Sequence, residues 1–325
     1  MSTPTLFVHV GAPKTGSTAL QRQATDARGI LASAGLLYPA THARGFGHHD
    51  LAFLVHGGFP EWAKPADITL DDVIADLRSE TADHAGDVLL SSENFFLFSH
   101  PERLHQALVD AGLLRNRQIQ VIVYLRRQDD LAESWWNQLV KAQGFAGSLQ
   151  DVLDDPPDFF DFAGRLDEWA DVFGHAALRV GDYDSLPGDS GLTQDFWSAV
   201  RRPELAERVD VQAGEQRVNT RLSHEALELQ LIINQLPLTI VEKRALHQEL
   251  QKLPSDPDGR LLDHGRRLEF LDRYRTGNDR VAAGYFDRAN LFADPNPDDD
   301  VAIRQDPLTR DRAVALMAEA VLRRQ

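Results

Sequence analysis

Leu6-Phe7-Val8-His9-Val10 runs straight into Gly11-Ala12-Pro13-Lys14-Thr15-Gly16-Ser17-Thr18, and this junction decides the fold. The first run is short and apolar and reads as a buried strand. The glycines and proline after it read as a tight turn. From Ser17 to Ala34 the apolar residues Leu20, Ala24, Ala27 and Leu31 recur on one helical face, and Gly35 closes the helix as a C′ residue. In a strand–turn–helix of this kind, successive backbone N–H groups form a nest for an anion. The helix N-terminus adds the positive end of its dipole. Lys14 contributes a mobile point charge, and Ser17 and Thr18 bring hydroxyls into the first turn.

Working outward, the pattern repeats. Asp87-Val88-Leu89-Leu90-Ser91 and Gln120-Val121-Ile122-Val123-Tyr124-Leu125 are further buried strands, and Ala177-Leu178-Arg179-Val180 is a fourth. Helices are expected over residues 70–85, 101–114, 129–143 and 159–173, and a His-, Gly- and Pro-rich loop over 41–65. Near-continuous apolar strands alternating with helices predict an α/β fold, a parallel central sheet with helices on both faces. From about residue 193 the chain reads as almost entirely helical, over 222–235, 239–252, 261–274, 278–289 and 309–324, with an Asp/Pro-rich loop at 292–301. The expected organisation is a single domain over 1–325. An α/β core (1–190) carries a helical C-terminal extension (191–325) packed on it.

The 325 residues include 50 acidic and 34 basic side chains, for a formal charge of −16. Such a chain is a poor nonspecific binder of nucleic acid or anionic membrane, and an anionic ligand needs a locally basic site. Cysteine is absent, which excludes a disulfide framework, a thiolate metal site and a thiol nucleophile. No targeting segment and no apolar stretch of membrane-spanning length is visible, so a soluble, cytoplasmic protein is expected.

The loop departs from the ATPase pattern G-x-x-x-x-G-K-[ST]: Gly11 and Gly16 keep the spacing, but Lys14 precedes the second glycine. The Asp87 strand ends in Ser91-Ser92-Glu93 and supplies no good second magnesium anchor. Lys14-Thr15-Gly16-Ser17-Thr18 after a strand instead resembles the 5′-phosphosulfate loop of the sulfotransferases that use 3′-phosphoadenosine 5′-phosphosulfate (PAPS). Arg126 after a strand, with Ser134 eight residues later, is similar to that family's 3′-phosphate clamp. The usual Asp/Asn-Pro is here Arg127-Gln128, which leaves the role of Arg127 open. Glu93, at the end of its strand, resembles the catalytic base of the sugar sulfotransferases. Arg217-Val218-Asn219 looks like the loop that closes over the nucleotide in bacterial members, and Asn278 with Tyr285-Phe286 resembles their C-terminal region.

The resemblance implies a P-loop-like α/β nucleotide-binding fold and a PAPS-dependent transfer of a sulfuryl group to an acceptor hydroxyl or amine, with no metal required. Glu93 and Lys14 would be catalytic. Lys14, Thr15, Gly16, Ser17, Thr18, Arg126, Ser134, Arg217 and Asn219 would bind PAPS. The Glu base tilts the acceptor toward a carbohydrate or glycolipid. His48 and His49 on the 41–65 loop, and Trp135 beside Ser134, are candidates to touch the acceptor. Two other readings stay open: an ATP- and magnesium-dependent small-molecule kinase, and a nucleotide-binding module without catalysis. Glu93 could also be a helix-capping carboxylate.

Overall fold

The computed structural model describes residues 3–210, 224–251, 253, 260–298 and 308–322. Its sheet holds β1 (Thr5–Gly11), β2 (Leu36–Leu37), β3 (Asp87–Ser91), β4 (Gln118–Leu125) and β5 (Leu178–Asp182), all parallel, in the order β2-β3-β1-β4-β5. The fold is therefore α/β, with a parallel sheet flanked by helices. Every residue of β1 is buried, as a strand covered on both faces should be. The chain leaves β1 for the edge strand β2, returns to β3 beside β1, then crosses to β4 on the other side. Its winding reverses at β1, and ligands of open parallel sheets bind outside the carboxyl ends of the strands at such a switch point.

Phe7, Leu89, Ile122 and Tyr124 from the sheet pack with Leu20, Ala24 and Leu31 and with Phe196, Trp197 and Val200 in one core. At the amino edge, Asp87 accepts from the Thr5 N–H and from Arg202 Nη2, both at 2.7 Å. The first of these bonds ties the start of β3 to the start of β1. The helix expected over 17–34 breaks at Ala27 into Ser17–Asp26 and Arg28–Ser33. The 41–65 loop contains a helix, His49–His56, which buries Leu51, Ala52, Phe53 and Val55. Its polar, glycine-flanked surroundings hide a pattern only two turns long. Helices at Gly188–Ala199 and Leu205–Asp210 precede the first of the helices expected in the C-terminal part.

Two compact units divide the chain. The first holds Met1–Arg127, Asp161–Glu215 and Thr276–Phe292, and with them the whole sheet; the second holds Gln128–Phe160, Gln216–Arg275 and Ala293–Gln325. The division thus runs differently from a cut at residue 190. Within the second unit, the helix Gln128–Ala142 is held by polar contacts. Asp129, fully buried, pairs with Arg267 Nε at 2.5 Å. Glu133 Oε1 accepts from the N–H groups of Leu261 and Leu262, both at 3.0 Å. Asn234 Nδ2 donates to the carbonyls of Val140 and Phe145, both at 2.8 Å. Among the described residues no helix is long and apolar enough to cross a membrane.

Candidate active site

Gly11 ends β1 at φ 109°, and a Cβ there would stand 3.0 Å from both Cα and Cβ of Glu93. The missing side chain lets the turn after β3 close against the loop. Gly16, at φ 78°, is the N-cap of helix α1 (Ser17–Asp26) and has no side chain with which to cap it. The orphan N–H groups of the first turn are therefore suited to an anion. Thr15 is buried, and its hydroxyl donates to the Ala12 carbonyl at 2.7 Å. That hydroxyl braces the loop from inside, so what Thr15 can offer an anion is its backbone N–H. Ser17 is buried and Thr18 exposed.

Lys14, half-buried at φ 66°, lies in the same loop. Its carbonyl accepts from Arg126 Nη1 at 3.1 Å, which ties the loop to the end of β4. Burial and then the Arg126 charge pull the Lys14 ammonium below the usual lysine range, and Glu93 partly opposes them. The Arg126 guanidinium lies 5.6 Å from the Tyr183 ring centroid, and its Nε is 3.9 Å from Asp184 Oδ1. Among the described residues that Nε is buried without a hydrogen-bond partner. The Arg127 N–H donates to Asp184 Oδ2 at 2.6 Å, which gives the backbone of Arg127 a structural role.

Glu93 follows β3, with about a quarter of its side chain exposed: 24%. Its Oε2 accepts from Gln21 Nε2 at 2.8 Å and lies 4.0 Å from His49 Nδ1. Burial alone would raise its affinity for a proton. His49, the Gln21 amide, its own backbone N–H and His9 outweigh burial and hold the carboxyl below the usual glutamate range. It is thus ionised at neutral pH. Glu93 occupies the N-cap position of the helix Asn94–Phe98 but makes no side-chain capping bond. Lys14, Glu93 and Arg126 therefore come together at the carboxyl ends of three neighbouring strands, β1, β3 and β4.

His48 requires a correction. It is 1% exposed, its Nδ1 accepts from the Ser91 N–H at 3.1 Å, and its Nε2 bonds the Pro39 carbonyl at 3.1 Å. With both nitrogens engaged in the core, it cannot serve as an acceptor contact. His49 is partly exposed, with Nδ1 bonded to Ser92 Oγ at 2.8 Å and to Asn94 Nδ2 at 3.0 Å. It stands beside Glu93 rather than out on a loop. Gln21 was not legible from sequence. It is a buried amide on the inner face of α1, and its partner is 72 residues away in the chain.

Ser134 and Trp135 belong to the second unit. Ser134 is half-buried. Trp135 is buried edge-on to Phe159, 5.0 Å between centroids, and lines a cavity of about 470 Å³ within that unit, with Leu139, Phe145 and Val152. The neighbouring Trp136 is buried too and donates to the Gly147 carbonyl at 3.0 Å. Arg217 and Asn219 lie outside the described residues. Among the described residues no group of three or more His, Cys, Asp or Glu side chains is arranged to hold a metal ion.

No family model matches the sequence. An uncharacterised protein of Archaeoglobus fulgidus is 26% identical over 232 residues, which cover 69% of this chain and 60% of that protein. The chain thus matches less than two thirds of that relative's length. Among solved structures, a sulfotransferase from Alicyclobacillus acidocaldarius is 18% identical, with a TM-score of 0.41 over 76% of this chain and 97% of that one.

Proposed function

We propose that the chain transfers a sulfuryl group from PAPS to a hydroxyl or amine of an acceptor, with a carbohydrate or glycolipid as the favoured class. The observation that carries this reading is the meeting of the Lys14 loop, Glu93 and Arg126 at the ends of three adjacent strands. The residues suit the donor. The uncapped start of α1 fits the 5′-phosphate. The Arg126 guanidinium, with its buried Nε, fits a second anion such as the 3′-phosphate.

The donor supplies an activated sulfuryl group, and the chain's own residues supply position and charge. Glu93, ionised at neutral pH, accepts the acceptor's proton as the new bond to sulfur forms. The bond from sulfur to the 5′-phosphate oxygen breaks in the same displacement. Lys14 stabilises the charge that grows on that oxygen, a task of position and electrostatics rather than covalent chemistry.

Calorimetry with adenosine 3′,5′-bisphosphate, AMP and ATP tests the nucleotide half of the proposal. Charge-assisted bonds to a 3′-phosphate give an expected preference for the bisphosphate over AMP of roughly ten- to a hundredfold. Transfer from PAPS to a panel of hydroxyl and amine acceptors should persist in EDTA. Equal affinity for bisphosphate and AMP, or activity only with ATP and magnesium, would overturn the proposal in favour of a kinase.

A further inference from the structure

We infer that Gln21 is the positioning residue for Glu93: its amide holds Oε2, so that Oε1 is the oxygen presented for the acceptor's proton. The proton's identity rests on the sulfuryl-transfer reading, whereas the hold on Glu93 does not.

Gln21 sits on the inward face of α1 with Leu20 and Ala24 and is 2% exposed. An apolar residue there would fill the space without needing a partner, whereas a buried amide is costly unless bonded. Helical side chains lean toward the N-terminus. From one turn into α1, the Gln21 amide therefore points back toward the loop and meets Glu93 Oε2 at 2.8 Å.

The amide is also held from behind. A Cβ on Gly47 would stand 2.9 Å from Gln21 Cδ, 3.0 Å from its Oε1 and 2.9 Å from His49 Nε2. Any side chain at 47 would press on both, so the glycine lets this loop lie against them without displacing either. The loop is pinned by Tyr38 Oη and Thr25 Oγ1, which donate to the Phe46 carbonyl at 2.7 and 3.0 Å. The backbone around Glu93 is fixed as well: the preceding Ser92 N–H donates to the His9 carbonyl at 3.0 Å, and the Glu93 carbonyl accepts from the Leu97 N–H at 3.1 Å. The titratable groups acting on the carboxylate are His9 from β1, Lys14 from the loop, His49 from its helix and Tyr38 from beyond β2. Gln21 is the neutral side-chain donor beside them, and a donor to the ionised form favours that form.

The test is Gln21→Met, which keeps the length of the side chain and removes the donor. The Glu93 carboxyl is followed by carbon-13 NMR in protein labelled at glutamate, with its signal assigned by its loss in Glu93→Gln. Glu93 should titrate at higher pH in the variant. The acid limb of the kcat profile should move up with it, so that kcat on that limb falls roughly ten- to a hundredfold while KM for PAPS stays within about threefold. A Glu93 titration unchanged from wild type overturns the inference, whatever happens to the rate. If Gln21→Met does not fold, Gly47→Ala disturbs the amide from outside and is read by the same titration. An unmoved Glu93 overturns the inference there too. A wild-type protein that transfers nothing from PAPS sinks the sulfuryl-transfer reading alone, because the titration still decides the role of Gln21.

Discussion

At the N-cap position of the helix Asn94–Phe98, the Glu93 carboxylate makes no capping bond and is held instead by Gln21. Removing a true cap would cost about 0.5–2 kcal/mol of stability and spare turnover. A different outcome is expected of Glu93→Gln. Its unfolding midpoint at neutral pH should fall somewhat, because the fold favours the ionised carboxyl, and affinity for adenosine 3′,5′-bisphosphate should stay within about threefold. Single-turnover transfer should fall by about 10²–10⁴, the usual worth of a general base. A folded variant that transfers at the wild-type rate would remove Glu93 from the reaction. Lys14, Glu93 and Arg126 were legible in the sequence because each follows an apolar run closely, and such runs end where a parallel sheet presents its ligand edge. Gln21 and His48 were not. A buried amide and a buried imidazole look like any surface polar residue until the partner across the fold is known.

At the scale of elements, the long strands were legible for the same reason: β1, β3, β4 and β5 are apolar because helices cover both their faces. The two-residue β2 and the helix His49–His56 are too short for periodicity to stand out. The second unit's helices show what patterns leave unseen. Asp129 is an acid in the first turn of its helix, yet in the fold it is buried against Arg267, which is itself 1% exposed. Truncating one partner of such a pair strands a charge in the core. Arg267→Met should therefore destabilise the protein by about 3–5 kcal/mol in urea unfolding. Adding Asp129→Leu should recover most of that loss, because a buried pair replaced by apolar groups is often neutral. A single variant as stable as wild type would show that the pair contributes nothing.

For the molecule as a whole, buried histidines contribute to the response to acid. Burial holds His9 and His48 down from 6.5 to about 4. Below pH 6.5 the unfolded chain takes up protons that these two folded histidines refuse. Stability is therefore complete above that pH and falls as pH drops toward 4, by about 1.4 kcal/mol per unit for each histidine. Glu93, whose carboxyl is also held below its ordinary range, adds a loss in the same direction at still lower pH. Urea midpoints that are flat between pH 7 and 5 would contradict this. The threading of the first unit carries a consequence for synthesis. All five strands have been made once Asp182 is joined, but the unit's last segment, Thr276–Phe292, follows roughly a hundred residues later. Arg288, whose guanidinium reaches Asp182 at 2.6 Å, arrives with that segment. At about 5–20 residues per second, a nascent chain waits on the order of 5–20 s with its sheet translated and the carboxylate at the end of β5 still without that arginine.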